Sequence, residues 1–267
     1  GGNENFHIYA ANIDGTNTLD LTPFEGVTAS ISNILKEQKD FIIITMNKNN
    51  KQIFEPYKLN VVTGELVQLF ENKDIDNPIQ DFIFDKDGEI RGYSKLVNGV
   101  ENEFYYKDLS TGEFKLIKKT KWDETFYIIS FNYASKNKDE AYVMTNLESD
   151  KSKIVLYDLK NNKTLKDVFS NPTFDVSGMS LSRKRNYEVD YYAYEGEKYN
   201  IIPVSKTYKE LHALMEKEFK DKVFYVVDSD DDETKCLIIV QSDKLYGTYY
   251  EYDAKTKKFA LLYDLMP

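Results

Sequence analysis

The residues most able to do chemistry form two short charged runs. Asp228-Ser229-Asp230-Asp231-Asp232-Glu233 places Asp228, Asp230 and Asp232 at the first, third and fifth positions of a calcium-loop spacing. The rest of the loop departs from that pattern. The sixth position, where a sharp turn needs Gly, is Glu233, and the twelfth, where a bidentate Glu belongs, is Ile239. The three aspartates are therefore weak metal candidates, and solvated turn charges are the reading to prefer. The second run, Arg183-Lys184-Arg185, is a basic knot on an acidic chain. Arg183 and Arg185 could position a substrate carboxylate, since a guanidinium offers a fork of donors to two oxygens; a solvated loop is the plainer alternative.

Nucleophilic catalysis has little to work with. A serine hydrolase of the α/β type needs Gly-x-Ser-x-Gly with a histidine base; the nearest stretch, Ser177-Gly178-Met179-Ser180, has the wrong order. The two histidines, His7 and His212, fall in a predicted strand and a predicted helix, positions that suit packing better than proton transfer. The single Cys236 opens the apolar run Cys236-Leu237-Ile238-Ile239-Val240 and reads as a small buried hydrophobe. One cysteine also excludes an intrachain disulfide framework. A Gly-x-x-x-x-Gly-Lys phosphate loop is absent, and no carboxylate spacing singles out a glycosidase pair. No cofactor is expected, and the chain is expected to lack a catalytic apparatus of its own.

The elements that hold these residues come from a repeat. An aromatic strand, an Asn or Asp, a polar turn and a second apolar strand recur, with anchors at Asn12, Asn60, Asp108, Asp158 and Asp253. The steps from 12 to 60, 60 to 108 and 108 to 158 are 48, 48 and 50 residues, and the last interval holds about two more. Between anchors lies a second hairpin: 79–84 with 89–94, 126–131 with 140–145, and 223–227 with 235–240. Four short strands per repeat of this length are the signature of a propeller blade. The prediction is an all-β, single-domain β-propeller over 1–267 built of four-stranded antiparallel blades. About five and a half blades fit, opening at a third strand, so the chain is expected to be a piece of a larger ring, for which seven blades is one count. One helical insertion near 207–221 interrupts the pattern. Thr207 and Glu210 have capping-box spacing, and Tyr208, Leu211, Met215 and Phe219 make one apolar stripe. A helix plugging a blade edge is preferred there over a cofactor or partner groove.

Charge narrows the partners. Lys+Arg 35 against Asp+Glu 45 leaves a formal charge of −10, which repels nucleic acid and anionic membranes alike. No apolar run approaches the ~20 residues that span a bilayer. The chain opens on Gly-Gly rather than Met, so a removed leader is conceivable, and the cytoplasm and the bacterial periplasm both stay open as compartments. Aromatic stretches such as Tyr191-Tyr192-Ala193-Tyr194 read as packing between blades before they read as ligand-stacking platforms.

Over residues 188–263 the sequence resembles a known family. Tyr192-Ala193-Tyr194-Glu195-Gly196-Glu197-Lys198, the helix from Tyr208 to Phe219, and Ser242-Asp243-Lys244-Leu245-Tyr246-Gly247-Thr248-Tyr249-Tyr250-Glu251-Tyr252-Asp253 are similar to the last two blades of prolyl-oligopeptidase-family serine peptidases of the acylaminoacyl-peptidase or dipeptidyl-aminopeptidase type. The family usually carries Arg and Pro where Lys244 and Tyr246 stand. The resemblance implies a non-catalytic propeller that gates and positions short peptides for an α/β-hydrolase domain expected beyond residue 267. The alternative expectation is a free-standing interaction propeller of the Tol-system type.

Overall fold

In a computed structural model, residues 4–266 are described; the opening Gly1-Gly2-Asn3 and Pro267 lie outside them. The expected β-propeller is what the structure holds: antiparallel sheets in series, each a meander of chain-neighbouring strands. The first sheet is a pair, β1 (Tyr9–Ala10) and β2 (Leu19–Asp20). The second runs β3 (Ala29–Ile34), β4 (Phe41–Asn50), β5 (Ile53–Asn60), β6 (Leu66–Gln68). The third is β7 (Ile79–Phe84), β8 (Ile90–Val97), β9 (Glu101–Lys107), β10 (Phe114–Thr120). The fourth is β11 (Phe126–Phe131), β12 (Glu140–Thr145), β13 (Lys153–Asp158), β14 (Lys163–Phe169). The fifth has three strands, β15 (Val176–Ser182), β16 (Glu188–Glu195) and β17 (Tyr199–Pro203), followed by helix α1 (Lys206–Glu218). The sixth closes the described chain with β18 (Val223–Ser229), β19 (Lys235–Ser242), β20 (Leu245–Asp253) and β21 (Lys258–Asp264). The half unit, the four-stranded units and the helix in place of a fourth strand all stand where the repeat put them.

Four of the five anchor residues of the repeat share one physical job, turning a side-chain oxygen back on the backbone just ahead; the fifth, Asn12, instead donates through Nδ2 to the Thr16 hydroxyl at 3.0 Å. Asn60 accepts from Val62 and Thr63, Asp108 from Ser110, Asp158 from Asn161, and Asp253 from Lys255 and Thr256, at 2.8–3.0 Å. These Asx turns close the hairpin between the third and fourth strands without help from the rest of the fold. Glycine is demanded at few places. Gly92 in β8 is one, because a Cβ there would stand 2.6 Å from the carbonyl oxygen of Tyr105 on the neighbouring strand.

The chain divides into two compact units: residues up to 128 with 158–163, and 129–157 with 164 onward. The first unit centres on Leu21, Val27, Ile44, Met46, Tyr57 and Leu59, with the centres of the middle strands β4 and β5 of its second sheet largely buried. Its third sheet adds an aromatic knot in which Phe70 meets Phe82, Tyr93 and Phe114 at centroid distances of 5.5–5.9 Å. The second unit centres on α1. Tyr208, Met215 and Phe219 pack with Cys236, Ile238, Val240 and Tyr252 of β19 and β20, so the predicted apolar stripe of the helix faces the sixth sheet.

The helix cap differs from expectation. Ser205, not Thr207, is the N-cap, its Oγ accepting from the Tyr208 N–H at 3.0 Å. The reason is that the Ser205 hydroxyl can donate at the same time to Asp190, a buried acceptor. That second bond fixes Ser205 in the capping geometry and starts the helix two residues earlier than a Thr207 cap would. Among the described residues no helix is long and apolar enough to cross a membrane.

Candidate functional site

The two charged runs meet. Arg183 faces Asp231 at 3.6 Å, Lys184 pairs with Asp232, and Arg185 pairs with Glu233. Each pair is separated by 48 residues, one repeat, because the two turns hold equivalent places in the fifth and sixth sheets. The inner end of this clasp is the ordered one. Arg185 also donates through Nε to Glu188 at 2.9 Å and through a terminal nitrogen to Asp190. Glu233 accepts from the buried Ser182 hydroxyl at 2.7 Å on both oxygens. Burial raises the Asp190 carboxyl above the usual aspartate range, against the lowering pull of Ser205 and Arg185. Arg185, offered as a carboxylate binder, thus already holds three carboxylates of its own chain.

Exposure discounts the outer pairs, since solvated lysine and arginine pairs contribute little. The Arg185–Glu233 pair is about three-quarters shielded, with side chains 26% and 21% exposed, and should contribute more. Replacing Glu233 with Gln keeps the shape and removes the charge. Urea unfolding should then show a loss of about 1–2 kcal/mol at low salt, smaller at high salt. A Glu233→Gln protein as stable as the parent at every ionic strength would mean that the clasp does not contribute to stability.

The three calcium-spaced aspartates point to different partners. Asp230 accepts from the Thr234 and Lys235 backbone at 2.6 and 3.0 Å and from the Thr234 hydroxyl at 2.7 Å. Asp232 turns to Lys184, and Asp228 accepts from the backbone of Ser229. Among the described residues no three His, Cys, Asp or Glu side chains converge as metal ligands would. His7 binds Asp20 through Nδ1 at 2.7 Å and stacks on Tyr9. His212 packs against the rings of Tyr208 and Phe224; burial lowers its pKa, and Glu216 only partly opposes that. Burial pushes the Cys236 thiol up to about 11, so it stays protonated at neutral pH.

The surface that best suits an extended ligand lies in the first unit and was not singled out from the sequence. First strands β3 and β7, with the start of β11, border a groove of about 840 Å³. Its polar wall carries Ser30, Ser32, Asn33, Gln52, Gln80 and Ser94, and its apolar wall includes Phe54, Phe82 and Tyr127. Asp81 is the one formal charge on it among the described residues. β3 and β7 are edge strands, and each carries a register shift, at Ile31/Asn33 and at Ile79/Asp81. The extra residues, Ser32 and Gln80, are the ones the bulge pushes out of the ladder; a bulge re-aims side chains in this way. Asn72 covers one end of the β7 edge, donating to and accepting from Ile79 at 3.2 Å. Such a lining offers hydroxyl and amide donors and acceptors to a peptide main chain while asking for almost no charge. The signal in the sequence was the polar interruption of otherwise apolar first strands, Ser30-Ile31-Ser32-Asn33 and Gln80-Asp81, which has no rule of spacing to mark it.

Comparison with known proteins places the chain. No family model matches the sequence. A stretch of 87 residues, 33% of the chain, is 32% identical to dipeptidyl aminopeptidase BIII of Pseudoxanthomonas mexicana. Prolyl oligopeptidase B from Galerina marginata superposes on 95% of the chain with a TM-score of 0.53 and 12% identity. Dipeptidyl peptidase 4 of Porphyromonas gingivalis covers 97% with a TM-score of 0.51 and 11% identity. At those identities the superpositions speak for the fold alone. The chain spans 36% and 43% of the two solved chains, and the aligned stretch is 12% of the curated relative.

Proposed function

We propose that this chain, a β-propeller of the prolyl-oligopeptidase-family type, is the accessory domain of a serine peptidase and acts by gating and positioning short peptides for an α/β-hydrolase domain of the same parent protein. The observation that carries this reading is the sequence kinship with a dipeptidyl aminopeptidase. Two features of the molecule support it. Among the described residues neither histidine is hydrogen-bonded to a serine or cysteine, which fits a nucleophile–base pair supplied by another domain of the parent. The groove along β3 and β7 presents neutral hydrogen-bonding groups beside aromatic rings, the lining an extended peptide of varied sequence requires. Near-neutrality matters because a charged wall would select side chains that a gate should ignore.

The chain alone should release no chromophore from dipeptidyl or aminoacyl p-nitroanilides and esters, and a fluorescent-labelled pentapeptide should bind it more weakly after Ser32→Trp and Gln80→Trp are introduced into the groove. Hydrolysis by the chain itself would end the non-catalytic reading. Peptide affinity indifferent to both substitutions would move the peptide path away from β3 and β7.

A further inference from the structure

Helix α1 replaces a strand but cannot fill a strand's place. A helix with side chains is about 10–12 Å across, whereas strands pack at about 4.8 Å. The C-terminal half of α1 closes tightly, with Phe219 against Phe224, Tyr250 and Phe259 at 4.8–6.1 Å. Toward its N-terminal half a cavity of about 310 Å³ remains between the helix and the strands of the fifth and sixth sheets. That is the lower end of the size range of small-molecule sites.

The lining has a definite chemistry. Tyr191, Tyr208 and Tyr252 supply aromatic surface, and Leu211, Leu214 and Val226 supply aliphatic surface. Four carboxylates border the cavity (Asp190, Glu210, Asp228 and Glu233) against two cations, Arg185 and Lys257. Arg185 is shared among Glu188, Asp190 and Glu233, so it has little to offer an incoming anion. The Tyr208 side chain is 5% exposed, and its hydroxyl is buried with no hydrogen-bond partner in the protein. A buried phenol of this kind normally finds a partner. Its oxygen can accept from an N–H, and tyrosine faces attract a cation.

We infer that the cavity beneath α1 is a binding site for a small organic cation, an ammonium group on an aromatic or branched apolar body. The body lies against Tyr191, Leu211 and Leu214. The ammonium faces the Tyr208 oxygen and the two carboxylates of the lining that Arg185 does not hold, Glu210 and Asp228. This site is separate from the groove along β3 and β7 and does not rest on the peptidase reading.

Three probes of like size and different charge test it by calorimetric titration of the full chain: 2-phenylethylamine, 2-phenylethanol and 3-phenylpropionate. The amine should bind, the alcohol should be weaker by about tenfold or more, and the carboxylate should not bind. Leu214→Trp, which fills the cavity, should abolish amine binding. Lys257→Glu, an exposed change at the rim that leaves the core alone, should tighten it severalfold. An amine that does not bind, or binds no better than the alcohol or the carboxylate, overturns the proposal whatever the variants do. Amine affinity unmoved by Lys257→Glu, or by a folded Leu214→Trp, overturns it as well.

Discussion

Replacing Phe126 with Ala should lower the unfolding free energy by about 3–5 kcal/mol, the cost of removing a buried aromatic ring and leaving part of its volume empty. Phe126 opens β11 at 3% exposure, edge-on to Phe104 at 5.3 Å, with the ammonium of Lys118 5.7 Å from its ring centre. Total stabilities of folded domains are only about 5–15 kcal/mol, so the change should be visible as a large drop in urea midpoint at nearly constant slope. The neighbouring Tyr127 supplies the control. It stands on the opposite face of the strand at 58% exposure, and Tyr127→Ala should stay within about 0.5 kcal/mol. Phe131, at 4% exposure at the other end of the strand, should behave like Phe126. If Phe126→Ala and Phe131→Ala both unfold like the parent, β11 is not a strand packed between layers.

Phe219→Ala should produce a loss of similar size, about 3–5 kcal/mol, by a different route. Phe219 is the C-cap of α1, 3% exposed, and its ring touches three others from β18, β20 and β21. It joins the helix to the sixth sheet, so its removal should take helical signal away along with stability. Far-ultraviolet dichroism followed through thermal unfolding checks both. A Phe219→Ala protein with an unchanged midpoint would mean that α1 is held by its N-terminal contacts instead.

What could be read ahead of the structure was whatever depends on near neighbours in the chain. Asn60, Asp108, Asp158 and Asp253 announced the hairpins because an Asx turn needs only the next two or three backbone N–H groups. The stripe of Tyr208, Leu211, Met215 and Phe219 announced the helix for the same reason. The cap was misplaced by two residues, since the choice between Ser205 and Thr207 was decided by Asp190, fifteen positions back. The charged runs were noticed but judged separately. Their pairing is long-range, and only the constant offset of 48 residues, one repeat, hinted that equivalent turns would oppose each other. The groove along β3 and β7 escaped notice, and at α1 a plugged blade edge was preferred to a cofactor or partner groove: a void is a property of several elements at once, and no single segment encodes it.

Every hydrogen-bonded strand pair described in the molecule joins segments that follow one another in the chain, and the turns between third and fourth strands carry their own closing side chain. Such a topology suits synthesis as much as it suits the finished protein. A nascent chain leaving the ribosome can complete one sheet before the next has been translated, with no strand held waiting for a distant mate. The sheet that gives a helix where its fourth strand should be is the exception: α1 meets its main apolar partners, from Cys236 in β19 to Tyr252 in β20, only after another 18 to 34 residues have been made.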